Sequence, residues 1–85
     1  MKIEILGMGC PKCKKLYENA QSAVKELNAQ AEVVKVEDIQ KIMDYGLMIT
    51  PAIAIDGELK AAGRIPAPDE IKKWILAKEA IKNNP

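Results

Sequence analysis

Cys10 and Cys13 are the only cysteines in the chain and stand three residues apart, with Pro11 and Lys12 between them. Two thiols at that offset around the start of a helix come within bridging reach with little backbone movement, so the pair can pass between dithiol and disulfide. As a structural staple such a bridge is poor. Closing four residues contributes only about 2 kcal/mol in the chain-entropy model, against roughly 3 kcal/mol for a 15-residue loop. The spacing therefore favours exchange chemistry over permanent cross-linking. The chain holds no histidine, which removes His-dependent triads and His-containing zinc sites.

The two sulfurs are not equivalent. A helix beginning at Pro11 points its unpaired N–H groups and the positive end of its dipole toward Cys10, which makes Cys10 the better thiolate. Lys12 and Lys14 add positive potential. Cys13, one turn inside, is expected to be more buried and suited to resolving a mixed disulfide. Pro11 lacks an N–H and stiffens the turn. The same sulfurs allow a second chemistry, because Gly7, Met8, Gly9, Cys10, Pro11, Lys12 and Cys13 resemble the G-M-x-C-x-x-C loop of heavy-metal-associated domains. Those domains carry soft metals such as Cu(I) on two thiolates. Met8 itself is read as loop packing.

Several elements must position this loop. Ile3 and Ile5 alternate with Lys2 and Glu4, and Leu6 leads into Gly7, which predicts a strand running into the loop. After Pro11, Leu16, Ala20, Ala23, Val24 and Leu27 recur at helical spacing, with Asn28 as a left-handed end. Val33, Val34 and Val36, flanked by Glu32 and Glu37, predict a second strand, parallel to the first because a helix connects them. Asp38 caps a short helix with Ile39, Ile42 and Met43 on one face and Gly46 as its stop. Ala52–Ile55 and Glu58–Ala62 flank Asp56 and Gly57, a pair able to take the positive φ angles of a tight hairpin. Pro68, Asp69 and Glu70 open a last helix with Ile71, Trp74, Ile75 and Ile81 as its apolar stripe, and residues 83–85 are expected to fray. The predicted order is β-α-β-α-β-β-α.

Eighty-five residues, 48% of them hydrophobic and 29% charged, suit one globular α/β domain over residues 1–85. A net charge of +1 without a basic run argues against a nucleic-acid partner. The longest uncharged stretch, Tyr45 to Ile55, is broken by Gly46 and Pro51 and is shorter than the roughly 20 residues a bilayer span needs. Lys2 and Glu4 interrupt the first apolar run where a signal peptide would place its core. The expectation is a cytoplasmic monomer with no membrane contact and no cofactor. Tyr17 and Tyr45 are expected partly at the surface, Trp74 in the core, and Met8, Met43 and Met48 as gap fillers.

The chain as a whole resembles a compact thioredoxin or glutaredoxin fold, and is most similar to the small archaeal and bacterial thioredoxin-like family of redox-active disulfide proteins. The resemblance rests on Cys10, Pro11, Lys12 and Cys13, then Thr50 and Pro51, then Asp56 and Gly57, and then Gly63, Arg64, Ile65 and Pro66. A metal-associated domain would run β-α-β-β-α-β, whereas Asp38 opens a helix here. The resemblance implies a four-stranded mixed sheet with helices on both faces. It also implies Cys10 as nucleophile, Cys13 as resolving thiol, Pro51 as a cis-proline facing the disulfide, and the Thr50 backbone as a groove for an extended substrate. Its partners would be protein or small-molecule disulfides and an upstream disulfide reductase. The chain departs from the pattern at Gly9, where thioredoxins carry an aromatic residue. A further departure is the Ala62, Gly63, Arg64, Ile65 segment, which lacks the paired glycine and acid of glutathione users. Glu4 is the candidate for the buried acid on the strand leading to the site.

Overall fold

Two strands form side by side at the start of the chain, β1 (Lys2–Leu6) and β2 (Glu32–Val36). They run parallel, with Ile3 opposite Val33 and Leu6 opposite Val36, because the connection between them is the helix α1 (Pro11–Leu27). The computed structural model describes residues 1–9, 11–47 and 49–83, the last four of these by backbone alone. Pro11 occupies the first position of α1, where a missing N–H leaves no helical bond unmade. Asn28 ends it at φ 50°. Its N–H donates to the Lys25 carbonyl at 3.1 Å and that of Ala29 to the Val24 carbonyl at 3.0 Å, the paired bonds of a Schellman ending.

Asp38 opens α2 (Ile39–Asp44), its carboxylate accepting the Gln40 N–H at 2.9 Å. Gly46, at φ 76°, follows the helix end. The hairpin of β3 (Ala52–Ile55) and β4 (Glu58–Ala62) turns on Asp56 at φ 49° and Gly57 at φ 84°, the two positive angles of a primed turn. Ala54 faces Leu59 while Ile53 faces Ala61, so Lys60 is the extra residue of a β-bulge. The last helix, α3 (Pro68–Asn83), carries Asp69 and Glu70 in its first turn.

The sheet order is β2-β1-β3-β4, with β3 antiparallel to both neighbours. This is an α/β fold with a four-stranded mixed sheet. The two-residue period of the strands divides the interior. Ile3, Ile5, Ile53 and Ile55 pack with Leu16, Ala20 and Ala23 of α1 and Ile71 and Ile75 of α3. Leu6, Val36, Ala52 and Ala54 face the other way and meet Ile42 of α2, with Val34, Tyr45 and Leu47 at the margin. Helices therefore cover both faces, and α2 stands between β2 and β3. The β-α-β-β-α-β order of a metal-associated domain is not adopted. Among the described residues no helix is long and apolar enough to cross a membrane.

Three side-chain expectations change. Ile39 and Met43 are 61% and 60% exposed rather than packed beside Ile42. Six residues make fewer than two turns, and Ile42 alone reaches the small Ala52 and Ala54 surface that α2 covers. Met8 is 62% exposed and fills no gap. Trp74 is half-buried against the α1/α3 core, and the Arg64 guanidinium stands 6.0 Å from its ring centroid. Met48, Asn84, Pro85 and the side chain of Ile81 lie outside the described residues.

Candidate active site

Cys13 falls on the inner stripe of α1, three residues before Leu16, and that spacing turns it toward the sheet. It is 5% exposed. Pro11 and Lys12, in the same first turn, face solvent. Cys10 lies outside the described residues.

What Cys13 meets is backbone. Gly7 continues the β1–β2 pairing one step past the strand, its N–H donating to the Val36 carbonyl at 3.0 Å. A Cβ at this position would run into Cys13 Sγ and would stand 3.7 Å from Thr50 Cβ. Glycine is thus required by close approach, since the sulfur occupies the space of the absent side chain. The same position brings Thr50 to the site from the other side.

Thr50 and Pro51 form the second wall. The peptide bond between them is cis, Pro51 is buried, and its carbonyl accepts the Gly63 N–H at 2.8 Å. Gly63 sits at φ 77°, and a Cβ there would stand 3.0 Å from Ile49 Cδ1. The end of β4 is therefore tied to the loop preceding β3. Arg64, next in the chain, grips Glu70 with two bonds of 3.0 and 2.6 Å. That contact raises the Arg64 pKa and lowers that of Glu70, chiefly through the hydrogen bonds themselves.

A pocket of about 90 Å³ opens beside Cys13, lined by Ile5, Gly7, Gly9, Lys14, Lys35 and Glu37. Lys35 Nζ lies 4.8 Å from the Tyr17 ring centroid, a cation–π distance. Glu37 lies over Gly9, where a built Cβ would be 3.7 Å from Oε2. Glu4 takes no part. The strand pleat turns it to the α2 face, opposite α1, and its Oε1 accepts the Tyr45 hydroxyl at 2.6 Å. That hydrogen bond first, then burial, then the carboxylate charge, push the Tyr45 pKa up to about 12.

The structure thus brings together Cys13, Thr50 and, through Gly7, the end of β1, while Glu4 is directed elsewhere. By sequence Gly7 was named only as part of a metal-binding-like loop and Glu37 only as a strand flank, and Lys35 was not named. One signal pointed to them, the parallel pairing that sets Val36 beside Leu6 and so carries Glu37 level with the loop after β1.

Comparison with known proteins adds relatives of this geometry. The family model of the thioredoxin domain matches residues 1–76. A thioredoxin of Methanothermobacter thermautotrophicus is 48% identical over 73 residues, covering 86% of this chain and 95% of its own. A thioredoxin of Methanocaldococcus jannaschii is 45% identical over 71 residues, covering 84% of this chain and 81% of its own. Thioredoxin 1 of the thermophilic eubacterium Thermosipho africanus superimposes with a TM-score of 0.69 over 99% of this chain and 100% of its own, at 24% identity. The last likeness concerns the fold alone.

Proposed function

The chain belongs to the thioredoxin family of thiol-disulfide oxidoreductases, and we propose that it reduces disulfides by a dithiol mechanism on Cys10 and Cys13. Cys10 attacks the substrate disulfide and forms a mixed disulfide; Cys13 then attacks the Cys10 sulfur and releases the reduced substrate. The observation that carries this reading is the burial of Cys13 against Gly7 in the first turn of α1. A buried thiol is a poor first nucleophile for a protein substrate, but it suits an intramolecular second attack.

Pro11 and Lys12 form the exposed turn of the site, and Lys12 adds positive potential beside the attacking sulfur. Thr50 and Pro51 form the groove, the Thr50 backbone pairing with an extended segment of the substrate. Met8 and Ile49, 62% and 59% exposed on the flanking loops, offer apolar contact for such a segment. Protein disulfides are the substrates this reading favours, with small disulfides as lesser ones, and a disulfide reductase restores the dithiol. No metal or organic cofactor enters the step. We place the activity in the cytoplasm, in a monomer whose single domain spans 1–85.

Trapping tests the assignment. Cys13→Ser should accumulate a mixed disulfide with a protein substrate, detected by mass, because attack remains possible while resolution does not. Cys10→Ser should trap nothing. Trapping by Cys10→Ser alone would reverse the two roles, and trapping by neither would remove exchange chemistry from the pair.

A further inference from the structure

We propose that Arg64 is a positioning residue for protein substrates, holding the groove wall at Ile49, Thr50 and Pro51 through its grip on Glu70. The inference rests on the disulfide-reductase reading above and names what fixes the groove that reading uses.

The wall is built where two loops meet. The Gly63 N–H donates to the Pro51 carbonyl at 2.8 Å, and the space beside Gly63 is filled by Ile49, whose Cδ1 would stand 3.0 Å from a Cβ there. Any shift of the Gly63 peptide is therefore passed to Pro51 and Ile49, the two neighbours of Thr50. Gly63 resists such a shift poorly, since a glycine at φ 77° has wide backbone freedom. The residues that follow it must supply the restraint. Ile65 packs inward on the α1/α3 core, and the buried Pro66 is held by Asn19. Arg64 turns the other way and reaches the first turn of α3.

That restraint has a fixed direction. Both terminal nitrogens of Arg64 donate to Glu70, at 3.0 and 2.6 Å, and the guanidinium lies 6.0 Å from the Trp74 ring centroid one turn further along α3. A planar fork bound at two points and set against a ring fixes the orientation of its stem, whereas a lysine ammonium would hold by one rotatable contact. Stability does not account for this arrangement. With side chains 52% and 39% exposed, the pair contributes little to folding. Its effect falls on the loop that carries Arg64. The groove is thereby tied to α3, and a protein segment pairing with the Thr50 backbone meets a wall already in place. A small disulfide, which reaches the attacking sulfur without pairing along the groove, does not need that wall.

Two substrates separate these cases: insulin, with dithiothreitol restoring the dithiol, and dithiobis-nitrobenzoate. Arg64→Gln should raise KM for insulin by about 3- to 5-fold, the scale set by an exposed ion pair, with kcat little changed. The rate with dithiobis-nitrobenzoate and the urea midpoint should stay as they are, which reports an intact sulfur and an intact fold. Glu70→Gln should match Arg64→Gln, and Arg64→Lys should fall between it and the unaltered protein. The double variant should be no worse than either single one, since both remove the same contact. An unchanged KM in Arg64→Gln, or equal losses on insulin and dithiobis-nitrobenzoate, overturns the positioning role and leaves the reductase reading standing. A KM that responds to Arg64→Gln but not to Glu70→Gln also overturns it, because Arg64 would then touch the substrate directly. Failure of the unaltered protein to reduce insulin faster than dithiothreitol alone overturns the reductase reading and this inference with it.

Discussion

Gly7 contributes to the site by having no side chain, since Cys13 Sγ rests where its Cβ would be. Gly7→Ala should therefore displace the sulfur or the strand end. Overpacking of this kind costs about 1–3 kcal/mol, which urea unfolding would register, and disulfide reduction should fall with it. An unchanged midpoint and rate would mean that the loop absorbs the methyl freely. Tyr45 and Glu4 give a second expectation at this scale. The Tyr45 pKa is raised in the folded state from 10.0 to about 12, so its contribution is complete below about pH 10 and is lost as the pH rises through 12. Tyr45→Phe should lower stability by about 1 kcal/mol at neutral pH, reduced from the value of a buried charged bond because the pair is partly exposed. The gap between the two proteins should narrow between about pH 10 and 12 in pH-dependent unfolding.

Among the elements, α1 carries the candidate site and much of the main core, and its buried polar residue among the described ones, Asn19, bonds across to the segment before α3. Asn19 Nδ2 donates to the Pro66 carbonyl at 3.0 Å, tying the middle of α1 to the segment that enters α3. Pro66 is fully buried, so Asn19→Ala strands its carbonyl away from water. Leaving such a group unsatisfied costs about 1–3 kcal/mol, readable in urea unfolding. Asn19→Asp should be no better, because a carboxylate cannot donate to a carbonyl. The α1–α3 pair is also joined at the surface, where Lys72 Nζ meets Glu26 at 2.9 Å and Asp69 at 3.4 Å. These exposed ions add little to stability.

For the molecule as a whole, the two faces of one sheet are packed independently of any cross-link. Nine side chains of the α1/α3 cluster besides Ala61 are almost wholly buried, and their burial outweighs the roughly 2 kcal/mol that a four-residue disulfide loop could contribute. Dispersed amide signals in an NMR spectrum should therefore persist when reductant is added. Their collapse would make the cysteine pair a structural bridge instead of a reactive one.

Much of this was legible in the chain itself. Alternation in β1, the helical spacing from Leu16 to Leu27, Asp38 as a cap, and Asp56–Gly57 as a turn are local signals, each set by steric and hydrogen-bonding preferences within a few residues. They were enough to order the elements; the spacing of Cys10 and Cys13 singled out that pair, and Thr50 and Pro51 were marked only by the family resemblance. Exposure of Ile39 and Met43 was not legible, since it depends on how little surface Ala52 and Ala54 present across the sheet. Nor was the fate of Glu4, whose strand could have turned either face toward α1. The close approach of Gly7 to Cys13 and the place of Glu37 in the adjoining pocket came only with the tertiary structure, because close approach and shared pockets arise where distant segments meet. Strand register, the property that carries Glu37 to the level of Cys13, is a relation between β1 and β2 that neither strand contains alone.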